Sequence, residues 1–400
     1  MSPKGPSDNA TLHRLHPRKL VNNGNMYLAN AVLQSLVYCP PFRDLFRDQG
    51  RLVGHREGGE TGGGATPLID ATVSFLNELA ETEDGKKEGD GVHSFLSLAT
   101  DIYDTMKEKR QFTVMRDEWQ QDAAVFLGLY LEALHEELVT IHSSMSKHKP
   151  ASTLNVEELE EETQSREGQT EGERDFTVRR FFLLSFVSLT SAESPISRIF
   201  GGRSRSTVRA PNRPDTVTVE GWRLLKLNIQ PDSVHTVKDA LVYISLPQLV
   251  QVSQLNTSEA SQEVQIEALP SILVLHLERF LYDAAADSIV KISKPIKFAP
   301  ELEIPLGIMA PDPGKSAEPA HYKLYGVLYH YGESAGSGRY TVNVLHPNGD
   351  SGSGEGWLHI DDETVSAVRH DDVSGDYANE WGDDRCAYML YYGRTASTRT

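Results

Sequence analysis

Two periods divide the chain. Apolar residues recur at helical spacing through the first third and alternate at strand spacing through the second half. Leu28, Val32, Leu36 and Cys39 share one face of a helix expected over 27–39, entered from an Asn23-Gly24-Asn25 turn and stopped by Pro40-Pro41. Gly-rich residues 51–66 read as a loop. Helices follow at 67–80 and 91–106, joined by a charged linker. The clearest helix spans 119–142, where Phe126, Tyr130, Leu134 and Leu138 recur at i, i+4 beside Leu127 and Leu131. Residues 143–175 are acidic, clustering Glu157, Glu158, Glu160, Glu161 and Glu162. They lack the apolar side chains that offset ordering entropy and read as a disordered surface insertion.

From Phe176 onward the chain reads as strands. They are expected at 216–219, 225–229, 272–277, 289–298, 357–360 and 387–392, with a short helix at 237–246. A hairpin is expected from 322–331 and 339–345 around the small, flexible residues 332–338. Helices first and antiparallel strands after them define an α+β class with two lobes. No internal repeat is visible.

Composition narrows the function. The chain has 400 residues, 39% of them apolar, with a formal charge of −18 and no Lys/Arg block, which disfavours nucleic acid and anionic membrane as partners. Two Cys, with no Cys-x-x-Cys pair, argue for a reducing compartment and against a thiolate zinc site. The start, Met1-Ser2-Pro3-Lys4-Gly5, has no apolar signal core, so a cytoplasmic or nuclear protein is the simplest expectation.

The stretch 22–34 carries the candidate chemistry. Its Asn-Gly-Asn turn and apolar helix aim backbone N–H groups and the positive end of a helix dipole at one point. Thiol hydrolases place a nucleophilic Cys at such a point, where the field favours thiolate. Here that residue is Tyr27.

Five stretches in order then resemble the ubiquitin-specific proteases, papain-like thiol hydrolases that cleave after the C-terminal glycine of ubiquitin. They are Asn22, Gly24, Asn25, Asn30, Leu33 and Gln34; Gln120 to Ala123 with Phe126 and Leu127; His276, Leu277, Arg279 and Phe280; Tyr322 to Val327 with His330, Gly332 and Gly338-Arg339-Tyr340; and Trp357 with Ile360-Asp361-Asp362. The resemblance covers about 20–394. It implies a helical thumb (20–142) plus an antiparallel β palm and fingers (176–394), flanked by loose ends at 1–19 and 395–400. Cys39-Pro40-Pro41-Phe42 and Ile199 to Gly202 resemble a subgroup whose members bind an adaptor protein through a long N-terminal extension. That adaptor is not carried over to this chain. The four-Cys zinc site found in the fingers of many members has no counterpart in this sequence, so neither metal nor cofactor is expected.

The resemblance assigns roles by position. Tyr27 stands in the nucleophile slot, Arg339 in the general-base slot, Asp361 in the orienting-acid slot with Asp362 beside it, and Asn22 in the oxyanion slot. Gln121, Asp122, Gly338 and Tyr340 are the expected substrate contacts. A phenol of pKa about 10 is only about one part in a thousand ionised at neutral pH. A guanidinium has no lone pair with which to take a proton. Cys39 lies about 18 Å along the helix from Tyr27 at ~1.5 Å per residue. Cys386 reads as a buried thiol, and His276, His330, His346 and His359 as framework. Arg339 is expected to pair with Asp361, and Tyr27 to lie against the guanidinium.

Three readings follow. The first is a protein of the deubiquitination system that binds ubiquitin or ubiquitinated protein without turnover. The second is an active cysteine-type deubiquitinase carrying two altered codons. The third is a degenerating relative with neither role.

Overall fold

The computed structural model describes residues 19–20, 22, 26–54, 66–80, 92–109, 122–145, 193–211, 213–250, 260–283, 288–311, 318–333, 338–347, 356–373 and 385–395. Most of the acidic segment 143–175 lies outside them.

The first helix, α1 (Tyr27–Val37), is buried at every position from Leu28 to Val37. A helix enclosed on all sides is the core of its lobe. It ends two residues earlier than the apolar spacing suggests. Pro40-Pro41 does more than stop it: Pro40 opens α2 (Pro40–Gly54), using the proline's fixed φ at a first-turn position. Of the loop expected over 51–66, residues 51–54 belong to α2, and 55–65 lie outside the described residues. Around α1 lie α3 (Pro67–Ala80), α4 (Val92–Glu108) and α5 (Ala123–Met145). Asp122 precedes α5 and caps it, its Oδ1 accepting the N–H groups of Ala124 and Val125 at 2.8 and 3.3 Å.

One buried carboxylate ties three of these elements together. Glu137 on α5 accepts the N–H groups of Leu68 and Ile69 at the start of α3 (3.1 and 2.9 Å) and the ammonium of Lys109 (2.7 Å). It thereby satisfies two of the helix's orphan donors.

A further helix, α6 (Pro195–Phe200), falls where strands were expected. Its signal was local: Ser194 and Ser197 form a capping box around Pro195. Strand β1 (Gly202–Arg209) follows at once, then β2 (Thr216–Trp222) and β3 (Leu225–Leu227). After α7 (Val237–Ile244) come β4 (Gln248–Val250), β5 (Ala260–Ala268), β6 (Ile272–Leu277), β7 (Phe280–Asp283), β8 (Ser288–Lys291) and β9 (Glu301–Glu303). The strand expected over 289–298 stops at Lys291, and Pro295, which cannot donate to a ladder, lies in the irregular segment that follows. The chain closes with β10 (His321–Tyr331), β11 (Arg339–His346), β12 (Gly356–Asp361), β13 (Thr364–Val368) and β14 (Cys386–Arg394).

The described strands form a central sheet ordered β13-β12-β11-β10-β14-β6-β3, with β9 paired to β10, an outer antiparallel sheet ordered β2-β1-β5-β4, and a separate β7-β8 pair. Both faces of the central sheet are covered. One packs on the helical lobe through Leu328, Val342, Tyr388 and Tyr391, and the other on a second core containing Leu275, Phe298, Trp357 and Leu390. Trp222, at the end of β2, joins the second core; within the outer sheet its ring lies so close to its ladder partner Gly202 that a Cβ there would approach within 2.3 Å.

Replacing Glu137 with Ala leaves two buried N–H groups and a lysine without their acceptor. We expect a loss of about 2–4 kcal/mol in urea unfolding. A change below about 0.5 kcal/mol would mean that water restores those bonds.

Candidate active site

The helical lobe meets the central sheet at the turn between β12 and β13. There Asp362 has φ 46°, a left-handed conformation that acidic and amide residues tolerate better than most. This geometry directs its carboxylate toward the helical lobe. Asn22 Nδ2 donates to Asp362 Oδ2 at 3.0 Å, and Asn30 Nδ2 donates to Asp362 Oδ1 at 2.9 Å. The Leu20 N–H donates to the Asp362 carbonyl at 3.0 Å. Asn22 also braces the helix entrance, its Oδ1 accepting the Met26 N–H at 3.1 Å. Burial pushes the Asp362 carboxyl above the usual range, an effect the two amides oppose and the charges of Asp361 and Glu363 reinforce.

The adjacent acid faces the other way. Asp361 Oδ2 lies 3.2 Å from Arg339 Nη1, with the arginine side chain 58% exposed and the aspartate 27%. At that exposure the pair contributes no more than about 1 kcal/mol to stability. It fixes where the guanidinium sits.

The hairpin register decides the rest. Tyr331 pairs with Arg339, and His330 with Tyr340. His330 therefore does not face Arg339. A one-residue shift turns it to the opposite face. His330 is enclosed by Phe280, Tyr340 and Tyr388, and a Cβ on Gly338 would meet its Nε2 at 2.1 Å. Arg339 lies over the Tyr331 ring, 4.7 Å from the centroid. The expected contact between Tyr27 and the guanidinium is thus replaced: Tyr27 stacks on Tyr340, with centroids 6.2 Å apart and planes 17° apart. Burial raises the Tyr27 phenol above its ordinary pKa, so phenolate is scarcer here than in water.

The remaining candidates divide. Tyr340 is buried behind Tyr27, and Gly338 is half-buried at the hairpin tip. Asp122 is buried, and Tyr388 donates to its Oδ1 at 2.7 Å besides the helix N–H groups it caps. Gln121 lies outside the described residues. Cys39 is fully enclosed and its thiol is pushed up to about 11 by burial. Cys386 is also buried. His359 Nδ1 meets Asn343 Oδ1 at 2.7 Å, His276 packs on Tyr388 and His346 on Tyr38. Among the described residues, no three His, Cys, Asp or Glu side chains come together as metal ligands would.

Asn30 was given no role by the sequence reading, yet it shares Asp362 with Asn22. An amide in the middle of an apolar helix is the signal that could have found it, because a buried amide needs a partner.

Comparison with known proteins identifies the lineage. The model of the ubiquitin carboxyl-terminal hydrolase family matches residues 18–392. The chain belongs to this family. It is 31% identical over 399 residues to the probable ubiquitin carboxyl-terminal hydrolase 3 of Schizosaccharomyces pombe, covering 95% of this chain and 74% of that protein. It is 33% identical over 407 residues to ubiquitin carboxyl-terminal hydrolase 10 of Rattus norvegicus, covering 95% of this chain and 48% of the relative, about half its length. Among solved structures, the SAGA Ubp8/Sgf11/Sus1/Sgf73 DUB module bound to ubiquitin aldehyde superposes with a TM-score of 0.64 at 17% identity, over 97% of this chain and 71% of that one. That likeness establishes the fold, with the helical lobe as thumb, the central sheet as palm and the outer sheet as fingers.

Two outcomes follow from these environments. Neither Cys39 nor Cys386 should react with a disulfide reagent in the native state, both becoming titratable only in denaturant. One thiol reacting at the rate of free cysteine would show an accessible nucleophile. A carboxyl raised in the fold binds its proton more tightly than in the unfolded chain. Asp362 should therefore cost stability as pH climbs from the ordinary carboxylate range through its raised value. Urea midpoints between pH 4 and 7 should fall more steeply for wild type than for Asp362→Asn, and parallel curves would contradict this.

Proposed function

We propose that this chain binds ubiquitin in the cleft between thumb and palm without hydrolysing its C-terminal linkage. The observation that carries this reading is the Arg339–Asp361 pair at 3.2 Å. Where the resemblance places an imidazole oriented by an acid, the acid orients a guanidinium. Thiol hydrolysis needs a nucleophile that loses a proton and a base that accepts it. Arg339 holds its proton permanently, and the phenol of Tyr27 is shifted away from ionisation.

The rest of the frame supports retention of the binding surface. Asn22, Asn30 and Asp362 lock the helix entrance to the palm, and the family match runs through thumb, fingers and palm. The SAGA module named above is bound to ubiquitin aldehyde. Binding of ubiquitin or a ubiquitinated protein by this chain is inferred from family and frame together.

Titration of isotopically labelled ubiquitin with the purified chain tests the binding. Saturable shifts are expected, and their absence at millimolar chain would remove the reading. The double substitution Tyr27→Cys with Arg339→His is expected to create cleavage of a ubiquitin–fluorophore amide, because Asn22, Asp361 and Asp362 stay in place. A folded double variant with no cleavage would place the defect beyond those two positions.

A further inference from the structure

The guanidinium of Arg339 offers chemistry that retention of ubiquitin's folded body does not use. It has five N–H donors in a planar fork. Asp361 engages it from one side at 3.2 Å, the guanidinium Cζ lies over the Tyr331 ring at 4.7 Å from the centroid, and more than half of the side chain faces solvent. An arginine held by an acid and an aromatic ring, with donors left over, is arranged to take a second planar oxyanion through parallel hydrogen bonds.

We propose that Arg339 captures the free C-terminal carboxylate of unconjugated ubiquitin, so that the cleft prefers unattached ubiquitin to ubiquitin held in an isopeptide bond. This rests on the ubiquitin reading above, which places ubiquitin's terminal glycine beside the general-base position. An unattached chain brings a full negative charge there. A conjugate brings a neutral amide, whose carbonyl makes a weaker bond and gains nothing from the permanent cation.

The neighbouring groups permit this preference. Tyr27, stacked on Tyr340, keeps its proton at neutral pH and brings no opposing charge. The Asp362 carboxylate is turned toward Asn22 and Asn30. Asp361 stays on its own side of the fork, since one guanidinium can serve two carboxylates. The net charge of −18 disfavours indiscriminate anion binding, so the carboxylate is read only as part of a docked ubiquitin.

Calorimetry with three forms of ubiquitin tests the proposal: the ordinary carboxylate, a C-terminal carboxamide, and ubiquitin joined to a lysine peptide through its side chain. The unsubstituted chain should bind the carboxylate form about tenfold or more tightly than the other two. Arg339→Ala should bring the carboxylate form down to the level of the amide, with a much smaller loss for the amide form itself. Should that variant fail to fold, the three-way comparison on the unsubstituted chain decides alone. Equal affinity for all three forms would overturn the carboxylate site and leave the ubiquitin reading standing. Binding of none would overturn both.

Discussion

Two adjacent carboxylates at one tight turn hold the site together. Asp362 reaches across to the helical lobe and takes the amides of Asn22 and Asn30, while Asp361 stays on the sheet side and takes Arg339. The left-handed φ of Asp362 helps neighbouring acids face different partners. Without the first set of bonds, the entrance of α1 would lose its side-chain ties to the palm at this turn, leaving the Leu20 N–H on the Asp362 carbonyl. Without the second, the guanidinium would have no acid to fix its direction. Position of the helix mouth and chemistry at the sheet edge are thus set within two residues.

This arrangement separates frame from reaction. The thumb–palm contact at this turn is a matter of hydrogen bonding and burial, and it forms with Tyr27 in place. Tyr27 continues an aromatic layer, stacking on Tyr340, which in turn packs on His330 and Tyr388. With a phenol at 27 and a guanidinium at 339, the helix entrance is still tied to the palm through Asp362. These two side chains set the proton chemistry. An arginine cannot accept a proton, and a partly buried phenol gives one up less readily than in water.

Much of the fold was legible in the sequence because period and punctuation agreed. The i, i+4 run of Phe126, Tyr130, Leu134 and Leu138 marked α5, and alternation around a small-residue loop marked the hairpin. The pairing of Arg339 with Asp361 followed from the positions that the family resemblance gave the two residues. What escaped were features fixed by geometry between segments. The hairpin register placed Tyr331, rather than Tyr27, beneath Arg339, and loop length alone could not settle a one-residue offset. Asn30 was visible as an odd polar residue in an apolar helix, but its partner lies 332 positions away. The sequence did not show that Asp122 Oδ1 also caps a helix and accepts a tyrosine hydroxyl. The short helix before β1 was missed because a general change to strand character outweighed a capping box only four residues long.

The central claim is that the cleft holds ubiquitin and breaks no bond. It is tested most directly by single-turnover hydrolysis of a ubiquitin C-terminal ester, with purified chain in excess over substrate. The expected rate is that of the ester in buffer alone. A rate far above that blank, lost when Tyr27 is replaced by Phe, would contradict it by showing that the phenol acts as a nucleophile after all.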